Sequence, residues 1–188
     1  EKLRDTYWSR FIIMAPWAKV YRRDFLLKNN IEFLSYGIGE DVYFNLLIYS
    51  FEPKITILNY IGYNWFFNTK SVSNTSQKGL NKEVDILFLL NKIIEKYDNI
   101  NDYLSYYLIR YYIWYLLFSG RNANKKDFIL EYNRIKKWYN DNKVSLKFSP
   151  FSKKINGETL KNRIIVFTFL ALEKMHLIGL FAKFYCKG

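Results

Sequence analysis

Residues 101–119 constrain the fold most. The run Asn101-Asp102-Tyr103-Leu104-Ser105-Tyr106-Tyr107-Leu108-Ile109-Arg110-Tyr111-Tyr112-Ile113-Trp114-Tyr115-Leu116-Leu117-Phe118-Ser119 is apolar almost all round a helix. Leu104, Tyr107, Leu108, Tyr111, Trp114, Tyr115 and Phe118 leave it little solvated face, so other elements must cover it on several sides. Asn101-Asp102 offers an N-cap, and Ser119-Gly120 ends the run. The neighbouring segments supply covering faces. Ile86, Leu87, Leu90, Ile93, Ile94 and Tyr97 repeat at helical spacing over 83–97, and Phe128, Ile129, Tyr132, Ile135, Trp138 and Tyr139 do so over 125–140. After an irregular stretch at 144–157, with Pro150 and Gly157, a last helix is expected from Glu158 to about Tyr185. The second half therefore reads as a helical bundle.

The first 75 residues read differently. Pro16, Gly37, Gly39, Pro53 and Gly62 break them into short pieces. Phe11 to Met14 and Trp17 to Tyr21 read as short strands meeting at Pro16, and Arg23 to Asn29 as a short helix. A helix from Glu40 to about Phe51 puts Tyr43, Phe44 and Leu47 on one face, with its acidic start at the positive end of the helix dipole. Lys54 to Phe67, rich in Ile, Tyr and Trp, reads as one or two strands. Lys70 to Lys78 is a polar loop. The expected class is α+β, mostly α, with a mixed segment over 1–75 and a basic helical domain over 76–188.

Composition narrows the chemistry. Half of the residues are hydrophobic and 20% are aromatic, which excludes a disordered chain. One cysteine, Cys186, and one histidine, His176, exclude a disulfide framework and make a Cys- or His-built metal site a poor expectation. His176 sits between apolar neighbours and reads as structural. Nothing beside Cys186 reads as the base that a catalytic thiol needs. The net charge of +12 is uneven: residues 1–75 carry 9 Lys/Arg against 7 Asp/Glu, and the last 46 residues carry 9 against 2. Lys153, Lys154, Lys161, Arg163, Lys174, Lys183 and Lys187 surround an apolar run, Ile164 to Leu172, that is about half the length of a spanning helix. That pattern suits an anionic membrane surface, a protein partner or a second copy of the chain. Nucleic acid is not expected, because the aromatics fall at core spacing.

Three motifs carry chemistry when taken in order. Pro16-Trp17-Ala18-Lys19-Val20-Tyr21 comes first. Gly39-Glu40-Asp41-Val42-Tyr43 follows about twenty residues later, and Tyr63-Asn64-Trp65-Phe66, with Lys70-Ser71-Val72-Ser73, about twenty beyond that. A carboxylate at a helix start, beside a glycine loop with room for a sugar, suits a general base. An ordinary acidic first turn is the plainer explanation of Glu40 and Asp41 considered alone.

The order and spacing of these motifs, over residues 11 to 75, resembles the acceptor side of family 2 glycosyltransferases. The resemblance implies a partial GT-A fold. Asp41 would be the catalytic base and Glu40 its neighbour, orienting the loop or binding an acceptor hydroxyl. Trp17, Lys19, Tyr43 and Trp65 would bind the acceptor, and Lys70, Ser71 and Ser73 the donor diphosphate. It further implies a nucleotide-sugar donor and a glycan or lipid-linked acceptor, with work at the cytoplasmic face of a cell membrane. No Asp-x-Asp occurs in the chain, so ligands for the Mg2+ or Mn2+ expected of such an enzyme are missing. The nucleotide-sugar half is expected to precede residue 1, and this chain alone is not expected to catalyse transfer. The competing expectation is a non-catalytic module that binds a membrane surface or a protein partner.

Overall fold

The computed structural model describes residues 15–36, 39–64, 66, 68, 80 and 85–188. Their regular elements are all helical. In chain order these are α1 (Arg23–Lys28), α2 (Glu40–Ser50), α3 (Ile86–Ile94), α4 (Asp102–Ser119), α5 (Lys125–Asp141), α6 (Leu160–Lys174) and α7 (Ile178–Tyr185). Single 3-10 turns lie at Gly120–Asn122 and Lys153–Ile155.

The α+β expectation is corrected: among the described residues there is no strand. Residues 53–64 carry β-type side chains but adopt neither helix nor strand. Strand preference is context and not an intrinsic backbone state, and no other strand is present among the described residues to complete a ladder. Ile57, Leu58, Tyr60 and Ile61 project outward, each more than 70% exposed. In the segment expected as a strand over Trp17 to Tyr21, Ala18 has φ 60°, so the chain turns back there. The strand expected at Phe11 to Met14 lies outside the described residues.

The helices begin where polar caps satisfy their free N–H groups. Asp85 accepts from Leu87, Asn101 from Tyr103 and Leu104, Asn124 from Asp127, and Thr159 from Asn162. Several end on a left-handed residue that is not glycine. At α1, α5 and α6 these are Asn30, Lys143 and His176. In each the next N–H reaches back over the last turn: Ile31 to Leu26, Val144 to Tyr139, and Leu177 to Leu172. The helix expected from Glu158 to Tyr185 is therefore two helices, broken at Met175-His176-Leu177. His176 is an exposed turn residue and not part of an apolar helix.

α4 is the centre of the molecule. Leu104, Leu108, Ile113 and Leu116 are fully buried. α5 and α6 pack against it, α7 packs on α5 and α6, and α2 packs on α3. One apolar cluster holds Tyr43 to Leu47 of α2 together with side chains of α3 to α7, across the boundary expected at residue 75. Tyr97 ties the groups together by donating to the Leu46 carbonyl at 2.8 Å. Two of the seven apolar residues named for α4 depart from the burial expected. Trp114 is 44% exposed, and Phe118 is half-buried.

A polar knot holds α6 to α4. The Glu158 carboxylate, wholly buried, accepts from the Thr159 N–H and the Asn162 amide, both at 2.8 Å. Its other oxygen pairs with Arg110 Nε at 3.1 Å, as an ion pair without hydrogen-bond alignment. Arg163 donates to the backbone carbonyls of Pro150, Ser152, Ile155 and Glu158. The irregular 150–158 segment is thereby fixed by a single guanidinium fork.

Candidate functional site

The first turn of α2 is where the motifs meet. Gly39 precedes it with φ 87°, a conformation that favours glycine, and its carbonyl accepts the Tyr43 N–H at 2.9 Å. A Cβ on Gly39 would stand 2.7 Å from Tyr111 Oη and closer still to Leu89 Cδ2. The space beside this glycine is thus filled by α3 and α4. Gly37 and Ile38, the remainder of the expected sugar-admitting loop, lie outside the described residues.

Lys19 is brought to α2, and Trp17 to Tyr63 of the 53–64 segment. The left-handed turn at Ala18 sends Lys19 back, and its ammonium donates to the Ala15 carbonyl and, at 2.7 Å, to Asn45 Oδ1. Asn45 in turn donates from Nδ2 to the Asp41 carbonyl at 2.8 Å. Asn45 links the Trp17 segment to the helix that carries Asp41. Sequence reasoning passed over it, although it is the one amide in the apolar run Val42 to Ile48 and stands four residues after Asp41. Trp17, about half exposed, stacks on Tyr63 with ring centroids 5.0 Å apart and an 18° tilt. Tyr21 donates to the Pro16 carbonyl at 3.1 Å, closing the segment.

The charges act on one another. Burial raises the Asp41 pKa above the usual carboxylate value, the neighbouring Glu40 raises it further, and Lys19 opposes both. Burial also lowers Lys19 to about 8, against the attraction of Asp41. Tyr21 is raised to about 12 by burial, then by the charges of Tyr49 and Asp41. These shifts make Asp41 a stronger base than a solvated carboxylate, with a cation close at hand.

The other expected site residues divide. Glu40 neighbours Asp41 and faces Tyr111, whose phenol burial first and then Glu40 hold protonated. Tyr43 is on the buried side of α2, its phenol pKa raised by burial first, with Lys92 and Glu95 at the α3 end acting on it in opposite directions. Trp65, Lys70, Ser71 and Ser73 lie outside the described residues. Among the described residues no three His, Cys, Asp or Glu side chains come together as metal ligands.

A cavity of about 440 Å3 opens on the other side of Val42, between α4 and α6. Its walls include Tyr111, Trp114, Phe118 and Ile165, with Arg110 and Asn162 as polar members. Neither Asp41 nor Trp17 lines it. Tyr107, Tyr111, Trp114 and Phe118 form a ladder of near-parallel rings along α4, with centroids 5.0–6.0 Å apart. Cys186, at the α7 end, has its thiol pushed up by burial, the opposite of an activated nucleophile.

No protein-family model, no curated protein and no solved structure matches the chain. The reading of the site rests on its own residues and on the order of its motifs.

Proposed function

We propose that this chain supplies the acceptor side of an inverting glycosyltransferase, with Asp41 as the general base. The observation that carries the reading is the link Lys19–Asn45–Asp41. It joins the Trp-x-Lys segment to the backbone of α2 at Asp41, some twenty residues further along the sequence. The raised Asp41 pKa supports it, because a stronger base removes a hydroxyl proton more effectively provided it is ionised at working pH. In the proposed reaction the acceptor hydroxyl oxygen bonds to the anomeric carbon of a nucleotide sugar. The bond from that carbon to the diphosphate oxygen breaks, the diphosphate leaves, and the hydroxyl proton passes to the Asp41 carboxylate. Trp17 offers a half-exposed ring for a sugar face, and Lys19 holds positive charge beside the base. The outward side chains of 53–64 suit cover by a nucleotide-sugar half, in the same polypeptide or in another.

The test is a transfer screen of the full-length protein against nucleotide sugars with Mg2+ or Mn2+, comparing wild type with Asp41→Asn. Loss of the base costs about a hundredfold or more in transfer, with the circular dichroism spectrum unchanged. Glu40→Gln removes the like charge that raises Asp41, so the acidic limb of kcat/KM moves to lower pH. Equal transfer by wild type and Asp41→Asn sinks the base assignment. No turnover with any donor and acceptor sinks the transferase reading and leaves the non-catalytic binding module.

A further inference from the structure

We propose that the outer face of α6 docks on an anionic lipid surface. Leu160, Ile164, Phe167, Ala171 and Met175 follow one another by three or four residues. At about 100° per residue they fall within about 80° of arc, a single stripe along the helix. The opposite side of α6 is spent on the core through Val166 and Phe169. The stripe is not: Leu160, Ile164, Phe167 and Met175 are each between 48% and 65% exposed. Phe151 meets Phe167 edge-on at 5.6 Å and widens the apolar face.

Charge decides what this face can meet. Lys161 and Lys174 lie on opposite flanks of the stripe by the same helical arithmetic, and both are exposed. The other two ionic side chains of α6 are engaged in the fold. Arg163 is spent on backbone carbonyls. Glu173, the helix's sole carboxylate, accepts from Tyr132 at 3.0 Å and pairs with Lys136 at 2.6 Å. An apolar stripe whose charged borders on α6 are both lysine matches acyl chains beneath anionic headgroups, with the lysine stems reaching up to the phosphates. A second copy packed face to face by a two-fold axis would oppose lysine to lysine. Among the described residues no helix is long and apolar enough to cross a membrane, so the contact is one of lying on the surface. This inference does not depend on the transferase reading.

The experiment is co-sedimentation of the purified protein with vesicles of phosphatidylcholine alone, or with one lipid in three replaced by phosphatidylglycerol. Binding is expected to the anionic vesicles and to weaken with salt. Lys161→Gln with Lys174→Gln lowers the partition coefficient about thirtyfold, the equivalent of about 1 kcal/mol per lysine at a membrane surface. Ile164→Ser with Phe167→Ser lowers it at least about tenfold. Both pairs are exposed, so melting curves stay close to wild type. Equal binding to neutral and anionic vesicles overturns the proposal, as does insensitivity to both pairs of substitutions. No binding to either vesicle also overturns it. If light scattering then shows a dimer or a complex that the Ile164 and Phe167 changes disperse, the stripe is a protein interface.

Discussion

Alkali should unfold this protein in a narrow range near pH 11, and the cause is its buried phenols. Tyr107, Tyr111, Tyr112 and Tyr139 are nearly inaccessible, and burial raises each pKa above its ordinary value. Tyr139 also donates to the Leu108 carbonyl at 2.6 Å, a bond that only the protonated phenol can make. In the unfolded chain the same side chains titrate near pH 10. Above that pH the native state holds protons that the unfolded state has released, so stability falls as pH rises. At pH 11 each such tyrosine contributes about 1.4 kcal/mol to unfolding, and the four together about 6 kcal/mol. A domain has about 5–15 kcal/mol of stability in total, so these four groups remove a large share of it, and raised phenols such as Tyr21 and Tyr106 add to the loss. The assay follows tyrosinate absorbance and far-ultraviolet circular dichroism over the same titration. Absorbance should rise in two parts: a gradual one from exposed tyrosines, and a steep one that coincides with loss of helix. Tyr112→Phe should lessen the alkaline loss by about 1.4 kcal/mol at pH 11. If all the phenols titrate smoothly near pH 10 while the helices persist, the burial assigned to α4 is wrong.

Two further outcomes follow from packing. Gly39→Ala forces a left-handed alanine and a contact with Leu89 and Tyr111, which together cost about 2–5 kcal/mol. The urea midpoint should fall by about 1 M or more. Adding Leu89→Ala should relieve part of that cost, and strict additivity of the pair would refute the contact. Glu158→Ala leaves the Arg110 guanidinium without its partner and should cost about 3–5 kcal/mol, while a loss below about 1 kcal/mol in thermal or urea melts would show the knot to be ornamental.

The helical half was legible because its physics is local. Periodicity placed α3, α4 and α5, and the expected cap Asn101 stands where the chain enters α4. The break after α6 was hidden because its left-handed position is His176 and not glycine. Its geometry is enforced by the two back-bonds of the turn, from His176 to Glu173 and from Leu177 to Leu172. Nothing in residues 174–178 announces it. Lys143 takes the same left-handed role after α5, but the end of that helix was expected at 140 and falls at Asp141.

The first 75 residues failed at the point where the physics becomes non-local. Ile, Tyr and Trp over 54–67 satisfy every side-chain criterion for a strand, but a strand exists only as half of a pair. Among the described residues no partner strand occurs, and the apolar side chains of 57–61 face outward. The candidate site shows the converse. Lys19 and Asp41, chosen by order and spacing, are linked through an Asn45 amide that spacing did not flag, whereas Trp17 stacks on Tyr63. A buried amide within an apolar helix costs stability unless it is paired. Asn45 therefore had to have a partner, and i,i+4 geometry offered the Asp41 carbonyl from the start. Asking of each buried polar residue where its hydrogen bonds go would have exposed half of the Lys19–Asp41 link before any coordinates. The other half, the Lys19 ammonium, requires the left-handed turn at Ala18, which no property of alanine foretells.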